Sequence, residues 1–319
     1  MSWQSQFNIV CVGAGEMFQY CIQAILSDTR ATVPAIFTWS EKTAHRMSRF
    51  VLLDDFSRQR NIRLIKVESM NDLTAIQELK QLKPDFVFVD GWSEKLLLPL
   101  LTIAPDRFLC IHPSLLPEAR GGATLNWALI RGEKEWGVTL FYLASEIDRG
   151  DIIDQERFLI EPRDDIQTVF DKATLAAMDL LKRSIPLIRA GKAKRLQQDK
   201  TKATFLPRRK PDQGQIDWTS SAQAVYNLIR ALTRPYPGAY FFWSGEKVWV
   251  WKAAPSGKVE TKQEKSAGDI VQIIPGKGIR ISCGEGAILM ERVQLAGEPA
   301  IWADQWCQRH GVQEGSRLV

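Results

Sequence analysis

Residues 85–91, DFVFVDG, form a short apolar run that ends in an acidic residue and a glycine. It is the clearest of five such runs in the first half of the chain, and helical patterns separate them. This alternation is typical of a parallel sheet wound through right-handed crossovers, so we predict an α/β fold, Rossmann-like and rich in parallel strands. The predicted strands are Phe7–Val12, Thr32–Phe37, Ile62–Lys66, Asp85–Asp90 and Phe108–His112, and the helical patterns include Met17–Leu26, Ala44–Phe56 and Leu73–Leu82.

The last third of the chain has a different pattern. SSAQAVYNLIRAL, residues 220–232, has helical spacing, and YFFWSGEKVWVWKA, residues 240–253, is typical of a β-hairpin around Ser244-Gly245. Three further short apolar runs bounded by glycine turns follow, which predicts a small open β-barrel, OB-like. Between Arg189 and Lys210 nine basic residues face one acidic residue, so we predict three parts: an α/β domain (1–190), a basic linker (191–212) and the barrel domain (213–319).

Composition limits the class of protein. Of 319 residues, 45% are hydrophobic and 25% charged, as in average soluble proteins, and no segment reaches the ~18 uninterrupted apolar residues of a membrane span. Five irregularly spaced cysteines indicate neither a disulfide framework nor a zinc site, so no metal is predicted and a cytoplasmic location is expected. The formal net charge of +5 suits an anionic ligand without requiring nucleic acid.

Two short patterns could carry chemistry. Gly13-Ala14-Gly15 follows the first strand, but the third glycine of a dinucleotide-binding turn is absent, so we predict a tight turn and no dinucleotide. Among the three histidines, His45 and His310 have surface-like surroundings, whereas His112 ends a buried strand, where open parallel sheets bind ligands. Asp148 lies in a turn after a later strand, and such a carboxylate can orient an imidazole for oxyanion binding or proton transfer.

Around these two residues the sequence resembles one enzyme family. IHPSLLP (111–117), RGGA (120–123), GVT (137–139) and IDRGD (147–151), with PYPGAY and EGSRLV towards the end, resemble the 10-formyltetrahydrofolate-dependent formyltransferases. The resemblance covers nearly the whole chain. It implies an enzyme, a one-carbon (formyl) transferase, with a Rossmann-like catalytic domain and a C-terminal barrel. The implied co-substrate is 10-formyltetrahydrofolate.

The resemblance also implies roles for particular residues. In this family an Asn, a His and an Asp surround the formyl group; His112 and Asp148 match the last two, and Cys110 stands at the usual Asn position. A thiol is a weaker donor than an amide, and covalent attack by Cys110 is the alternative role. The residues that would bind the folate are Trp92, Leu96, Ser114, Leu115 and Asp151. Arg120 and Gly121 would bind the acceptor.

Three acceptors compete. RGGATLNWAL (120–129) and RRKPDQGQIDW (208–218) resemble amino-sugar formyltransferase domains, so the preferred acceptor is a small-molecule amine, either an amino-sugar nucleotide or an amine derived from an amino acid. The alternatives are methionyl-tRNA, favoured by the basic linker, and water, which would make the protein a 10-formyltetrahydrofolate hydrolase. A protein that binds folate without turnover is a further alternative. No membrane partner is expected, and a homodimer is one expected assembly.

Overall fold

The computed structural model describes residues 6–44, 49–257 and 266–319, which form two compact units. The first unit consists of Met1–Thr124, Glu135–Leu159 and Phe170–Pro207, and the second of Leu125–Lys134, Ile160–Val169 and Arg208–Val319. The division into 1–190, 191–212 and 213–319 stays a prediction. Within the described residues, no helix combines the length and apolar character needed to cross a membrane.

The strands and helices follow one another as the alternating pattern indicates. In chain order the strands are β1 (Phe7–Gly13), β2 (Ala31–Thr32), β3 (Ala35–Trp39), β4 (Arg63–Val67), β5 (Phe86–Asp90), β6 (Phe108–His112), β7 (Arg120–Gly121), β8 (Glu135–Tyr142), β9 (Ile152–Leu159), β10 (Phe205–Leu206), β11 (Ala239–Trp243), β12 (Glu246–Pro255), β13 (Ile270–Ile274), β14 (Gly278–Ser282), β15 (Ala287–Leu295) and β16 (Ile301–Trp302). The helices are α1 (Glu16–Leu26), α2 (Asp54–Gln59), α3 (Leu73–Gln81), α4 (Leu98–Leu101), α5 (Thr124–Arg131), α6 (Ile166–Arg189), α7 (Ala222–Leu232) and α8 (Ala303–His310).

The first unit is built on one mixed sheet. Its order is β4-β3-β1-β5-β6-β8-β9; β4 to β6 are parallel, and β8 and β9 are antiparallel. The α/β prediction is therefore confirmed. β5 is almost continuously apolar because both faces are covered: Phe18 of α1 stacks on Phe88 on one side, and Val89 packs in the core with Leu79 of α3 on the other.

The strand order reverses direction between β1 and β5, where open α/β sheets bind ligands. At this point the backbones of the two strand ends approach closely: a Cβ on Gly13 would lie 2.0 Å from the Asp90 carbonyl oxygen, and the Ala14 N–H donates to that oxygen at 3.3 Å. Only glycine fits at position 13, so packing against β5 accounts for the first glycine of the Gly-Ala-Gly turn.

One predicted helix, Ala44–Phe56, is largely wrong. Residues 45–48, and with them His45, lie outside the described residues, and residues 49–53 are not helical. Helix α2 begins only at Asp54, where two aspartates in the first turn complement the helix dipole. The apolar spacing misled the prediction because Leu52 does not face the core; it is 64% exposed.

The second unit contains an open antiparallel sheet of six strands. Its order is β11-β12-β15-β14-β13, with β16 beside β15. The predicted hairpin is confirmed: β11 and β12 pair around Ser244 and Gly245, which both have positive φ (50° and 83°), as a type I′ turn requires. Helix α7 begins where the sequence indicates, because the Ser221 hydroxyl accepts from the Ala224 N–H.

Candidate functional site

Strand β6 presents two candidate side chains at its carboxyl end. Cys110 and His112 are two residues apart, so they project from the same face of the sheet. Thr139 lies opposite His112 on β8 and fixes the loop that follows β6: its hydroxyl donates to the Ser114 carbonyl (2.7 Å) and accepts from the Leu116 N–H (3.0 Å). The histidine therefore projects from a strand with a rigid continuation.

The structure brings His112 and Asp148 together. Nδ1 of His112 lies 3.7 Å from Oδ2 of Asp148, and their side chains are only 8% and 13% exposed. On the other side of the ring, Nε2 lies 3.0 Å from the Ala119 carbonyl oxygen. Because a carbonyl only accepts, this hydrogen bond assigns a proton to Nε2. In the neutral ring Nδ1 is then the basic atom, and it faces the carboxylate.

The Asp148 carboxylate is itself held in place. Its Oδ2 accepts from the Gly121 N–H at 2.8 Å, which ties the acidic turn to the loop after β6. The backbone of Asp148 has a φ of 55°, in the left-handed region that costs a non-glycine residue about 1 kcal/mol or more. The turn also needs glycine at position 150, because a Cβ there would lie 1.6 Å from the Tyr142 carbonyl oxygen.

Sequence reasoning missed Gln198, which lies in the basic stretch. Its side-chain Nε2 donates to the Asp148 carbonyl (2.9 Å) and to the Gly150 carbonyl (2.7 Å). Its Oε1 accepts from the Arg120 guanidinium at 3.2 and 2.6 Å. No local pattern marks this glutamine, because its partners lie far away along the chain.

The segment that follows Gln198 lies against the same loop. Strand β10 pairs in parallel with β7, and the Thr204 hydroxyl accepts from the Ala119 N–H at 2.8 Å. The Gly122 N–H donates to the Leu206 carbonyl at 3.0 Å. Residues 198–206, named the strap from here on, therefore hold the loop that contacts both His112 and Asp148.

Cys110 remains a neutral thiol in this setting. Burial raises its pKa well above the ordinary value of 9.0, and the nearby carboxylates of Asp148 and Asp90 raise it further. Its Sγ lies 3.4 Å from the Ile111 carbonyl oxygen. Because the thiolate is the nucleophilic form, this environment disfavours covalent attack by Cys110.

Cys110→Ser should therefore retain activity within about threefold, since a hydroxyl is also a small neutral donor. Cys110→Asn should raise the rate, because an amide adds a stronger donor beside the formyl oxygen. Turnover measured with each purified variant tests this. Loss of all turnover in the serine variant, together with a formyl thioester on Cys110 in the wild type by mass spectrometry, would establish the covalent role instead.

The residues predicted to bind the folate lie in varied surroundings. The Trp92 indole stacks on Trp39 (3.6 Å between centroids, 6° between planes) and its Nε1 donates to Glu94 at 3.3 Å. Leu96 is buried in the core beneath that loop. The Ser114 hydroxyl donates to the Glu118 carbonyl at 2.8 Å.

The last two of these predicted residues lie on opposite sides of β8. The side chain of Leu115 approaches Gly137 so closely that a Cβ there would lie 2.5 Å from it. Asp151 lies 3.8 Å from the Arg195 guanidinium. The folate-binding roles of all five residues stay predictions.

A second buried acid lies near the site. Asp90, at the end of β5, is almost inaccessible to solvent, and burial raises the pKa of its carboxyl from the ordinary 3.8 to about 7. The Gly91 backbone N–H donates to it and opposes part of that rise. This carboxyl therefore changes its charge near neutral pH.

The buried strand end, the His112–Asp148 pair and the fold together define a formyl-transfer enzyme. The chain belongs to the formyl transferase family: the family model for formyl transferase matches residues 7–185 and the one for the formyl transferase C-terminal domain matches residues 208–311. Members of this family are enzymes that transfer formyl groups. The resemblance noted in the sequence is confirmed.

Individual relatives differ in what they act on. The chain is 31% identical over 289 residues to a methionyl-tRNA formyltransferase from Caldanaerobacter subterraneus subsp. tengcongensis, covering 90% of this chain and 92% of that one. It is 18% identical to HypX from Aquifex aeolicus in complex with tetrahydrofolic acid, with a TM-score of 0.64 over 95% of this chain and 47% of HypX. The chain thus spans about half the length of HypX.

A third comparison is with the N-formyltransferase from Helicobacter canadensis, in complex with folinic acid and dTDP-3-aminofucose. It is 18% identical, with a TM-score of 0.67 and coverage of 89% of this chain and 99% of that one. At such identities the likeness to the two solved structures establishes the fold, and the fold extends over nearly all of this chain.

Proposed function

We propose that the protein transfers the formyl group of 10-formyltetrahydrofolate to a small primary amine, with an amino-sugar nucleotide or an amine derived from an amino acid as the acceptor class. The observation that carries the proposal is the buried His112–Asp148 pair, whose Nδ1 is left basic by the hydrogen bond from Nε2 to Ala119. Two solved structures of the same fold hold a folate, and one of them also holds an amino-sugar nucleotide.

In the proposed mechanism an uncharged amine attacks the formyl carbon. The proton that the amine loses passes to Nδ1 of His112, directly or through water. The ring is then a cation, stabilised by the Asp148 carboxylate, and it stabilises the oxyanion of the tetrahedral intermediate. The intermediate collapses when the proton is returned to the leaving nitrogen, so that tetrahydrofolate departs and the formamide remains.

The binding residues are assigned on the same basis. We propose that Trp92, Leu96, Ser114, Leu115 and Asp151 surround the folate, and that Arg120 and Gly121 shape the acceptor side. The guanidinium of Arg120 is bound to Gln198, so its contribution would come through the position of its loop. Cys110 would contribute less to oxyanion binding than the family's Asn, a difference of up to ~3 kcal/mol for one donor.

Methionyl-tRNA is the second candidate acceptor, because the relative that shares 31% identity is a methionyl-tRNA formyltransferase. Against it, part of the basic stretch is engaged within the protein. Arg189 pairs with Asp28 (3.3 Å), Arg195 donates to the Asp106 carbonyl (2.8 Å), and Arg209 donates to the Gln213 carbonyl (2.5 Å). Fewer cations are then available for phosphates.

The acceptor is tested by following tetrahydrofolate release. The purified protein is incubated with 10-formyltetrahydrofolate alone, then with amino-sugar nucleotides, with amines derived from amino acids, and with charged methionyl-tRNA. The proposal expects release that depends on a small amine. Release without any amine would identify the hydrolase, and faster release with charged tRNA than with every small amine would identify the tRNA enzyme.

A lysine variant separates the two transferase hypotheses. Exposed Lys200, Lys202 and Lys210 are replaced together by glutamine, and the control replaces exposed Lys80, Lys134 and Lys182. We expect both variants to formylate the small amine within about threefold of wild type, because isolated surface charges contribute little. If tRNA is the acceptor, the first variant should bind it more weakly, and the salt dependence should fall by about 0.7 to 0.9 in log–log slope per lost contact.

A further inference from the structure

The amide of Gln198 connects the two segments that position the reacting pair. It is buried, and both of its hydrogens and its oxygen are used: Nε2 donates to the Asp148 and Gly150 carbonyls, and Oε1 accepts from Arg120. These partners fix which way the amide faces, because carbonyls only accept and a guanidinium only donates. The glutamine cannot rotate without losing at least three hydrogen bonds.

The contacts of Gln198 form a closed ring. From Gln198 the ring runs through the Asp148 carbonyl to the Asp148 carboxylate, which accepts from the Gly121 N–H. Gly121 follows Arg120, whose guanidinium returns to Gln198. The carboxylate that faces His112 is therefore fixed from two sides, through its own backbone and through the loop that binds it.

The backbone of Asp148 gives a reason for this support. Its φ of 55° is unfavourable for an aspartate, so an unsupported turn would relax towards other conformations. The donation from Gln198 to the carbonyl of the strained residue stabilises the conformation that places Oδ2 3.7 Å from Nδ1 of His112.

We infer that Gln198 is a positioning residue for formyl transfer, which acts by holding the Asp148 turn so that the carboxylate faces His112. The inference rests on the proposed function, since it assigns Asp148 the role given above. It places a functional residue in the strap, outside the stretch of residues 7–185 that the formyl transferase model matches.

The decisive variant is Gln198→Glu. A carboxylate at this position still accepts from Arg120 but has no hydrogens to donate to the Asp148 and Gly150 carbonyls. We expect kcat to fall by about 10- to 100-fold, the scale of a small misplacement of a reacting group, with KM for the folate within about threefold. The neighbouring Gln197 is exposed, and Gln197→Glu, which adds the same charge, should keep wild-type kinetics.

A double-mutant cycle separates positioning from a general loss of structure. If Gln198 acts through Asp148, Gln198→Glu should cause little further loss in an Asp148→Asn background, because the two effects are not additive. An equal loss in both backgrounds would overturn the inference. Where the glutamate variant does not fold, Gln198→Asn, which keeps an amide on a shorter stem, is used in the same cycle with the same expectations.

The cycle also distinguishes this inference from the proposed function. Full activity of Asp148→Asn alone would overturn the mechanism and the inference with it. Loss of activity in Asp148→Asn, combined with wild-type kinetics in Gln198→Glu, would overturn the positioning role and leave the mechanism in place.

Discussion

Replacing His112 with alanine is expected to lower kcat by at least ~100-fold, because the variant loses both the basic Nδ1 and the cation that stabilises the oxyanion. Asp148→Asn is expected to cause a loss of similar size, because the amide cannot stabilise the imidazolium. Folding should change little in either case. The measurement is the rate of tetrahydrofolate release at saturating folate and amine, with circular dichroism to verify the fold.

Two control variants accompany these substitutions. His310 lies in the second unit, 3.7 Å from Glu298, so His310→Ala removes a histidine that also has an acidic neighbour. Asp179→Asn removes an exposed aspartate from α6. Both controls should keep wild-type activity. Equal rates for wild type and His112→Ala would rule out the mechanism proposed above.

The second large effect concerns stability and pH. The carboxyl of Asp90 ionises near its ordinary pKa of 3.8 in the unfolded chain and near about 7 in the folded protein. Between these values the folded state binds more protons than the unfolded state, so stability falls as pH rises through this window and levels off above it. Asparagine cannot ionise, yet its side-chain oxygen can still accept from the Gly91 N–H.

Asp90→Asn should therefore stabilise the protein, and more so at higher pH. One pKa unit corresponds to about 1.4 kcal/mol, which gives a gain of about 4 kcal/mol at pH 8 and about 2 kcal/mol at pH 5. Denaturant unfolding of variant and wild type at the two pH values measures the difference. The exposed Asp179→Asn should show no such dependence. A gain that is the same at both pH values would mean that Asp90 is already ionised in the folded protein at pH 5.

The sheet could be predicted because its strands carry a local signal. β5 and β6 are covered on both faces, so their sequences are short apolar runs with clear ends, and Phe108–His112 has the predicted bounds. The region after Trp39 could not be predicted in the same way. There the apolar residues do not all face the core, so a helical spacing appears where residues 49–53 form no helix.

The candidate site was predictable only in part. The proximity of His112 and Asp148 follows from strand ends that meet at one edge of a sheet, and that argument needs no side-chain detail. Gln198 could not be found this way, because it lies 50 residues from Asp148 in the chain. A buried polar side chain far from its partners leaves no periodicity in the sequence, and the surrounding lysines and arginines suggested only an exposed linker.

The order of synthesis gives the strap a further consequence. Thr204 follows Ala119 by 85 residues, so a ribosome that adds 5 to 20 residues per second needs roughly 4 to 17 s to supply it. During that interval the N–H groups of Ala119 and Gly122 can be satisfied by water but not by Thr204 and Leu206. The parallel strands are complete before then. The loop beside His112 is therefore the last part of the first unit to reach its final form on a nascent chain.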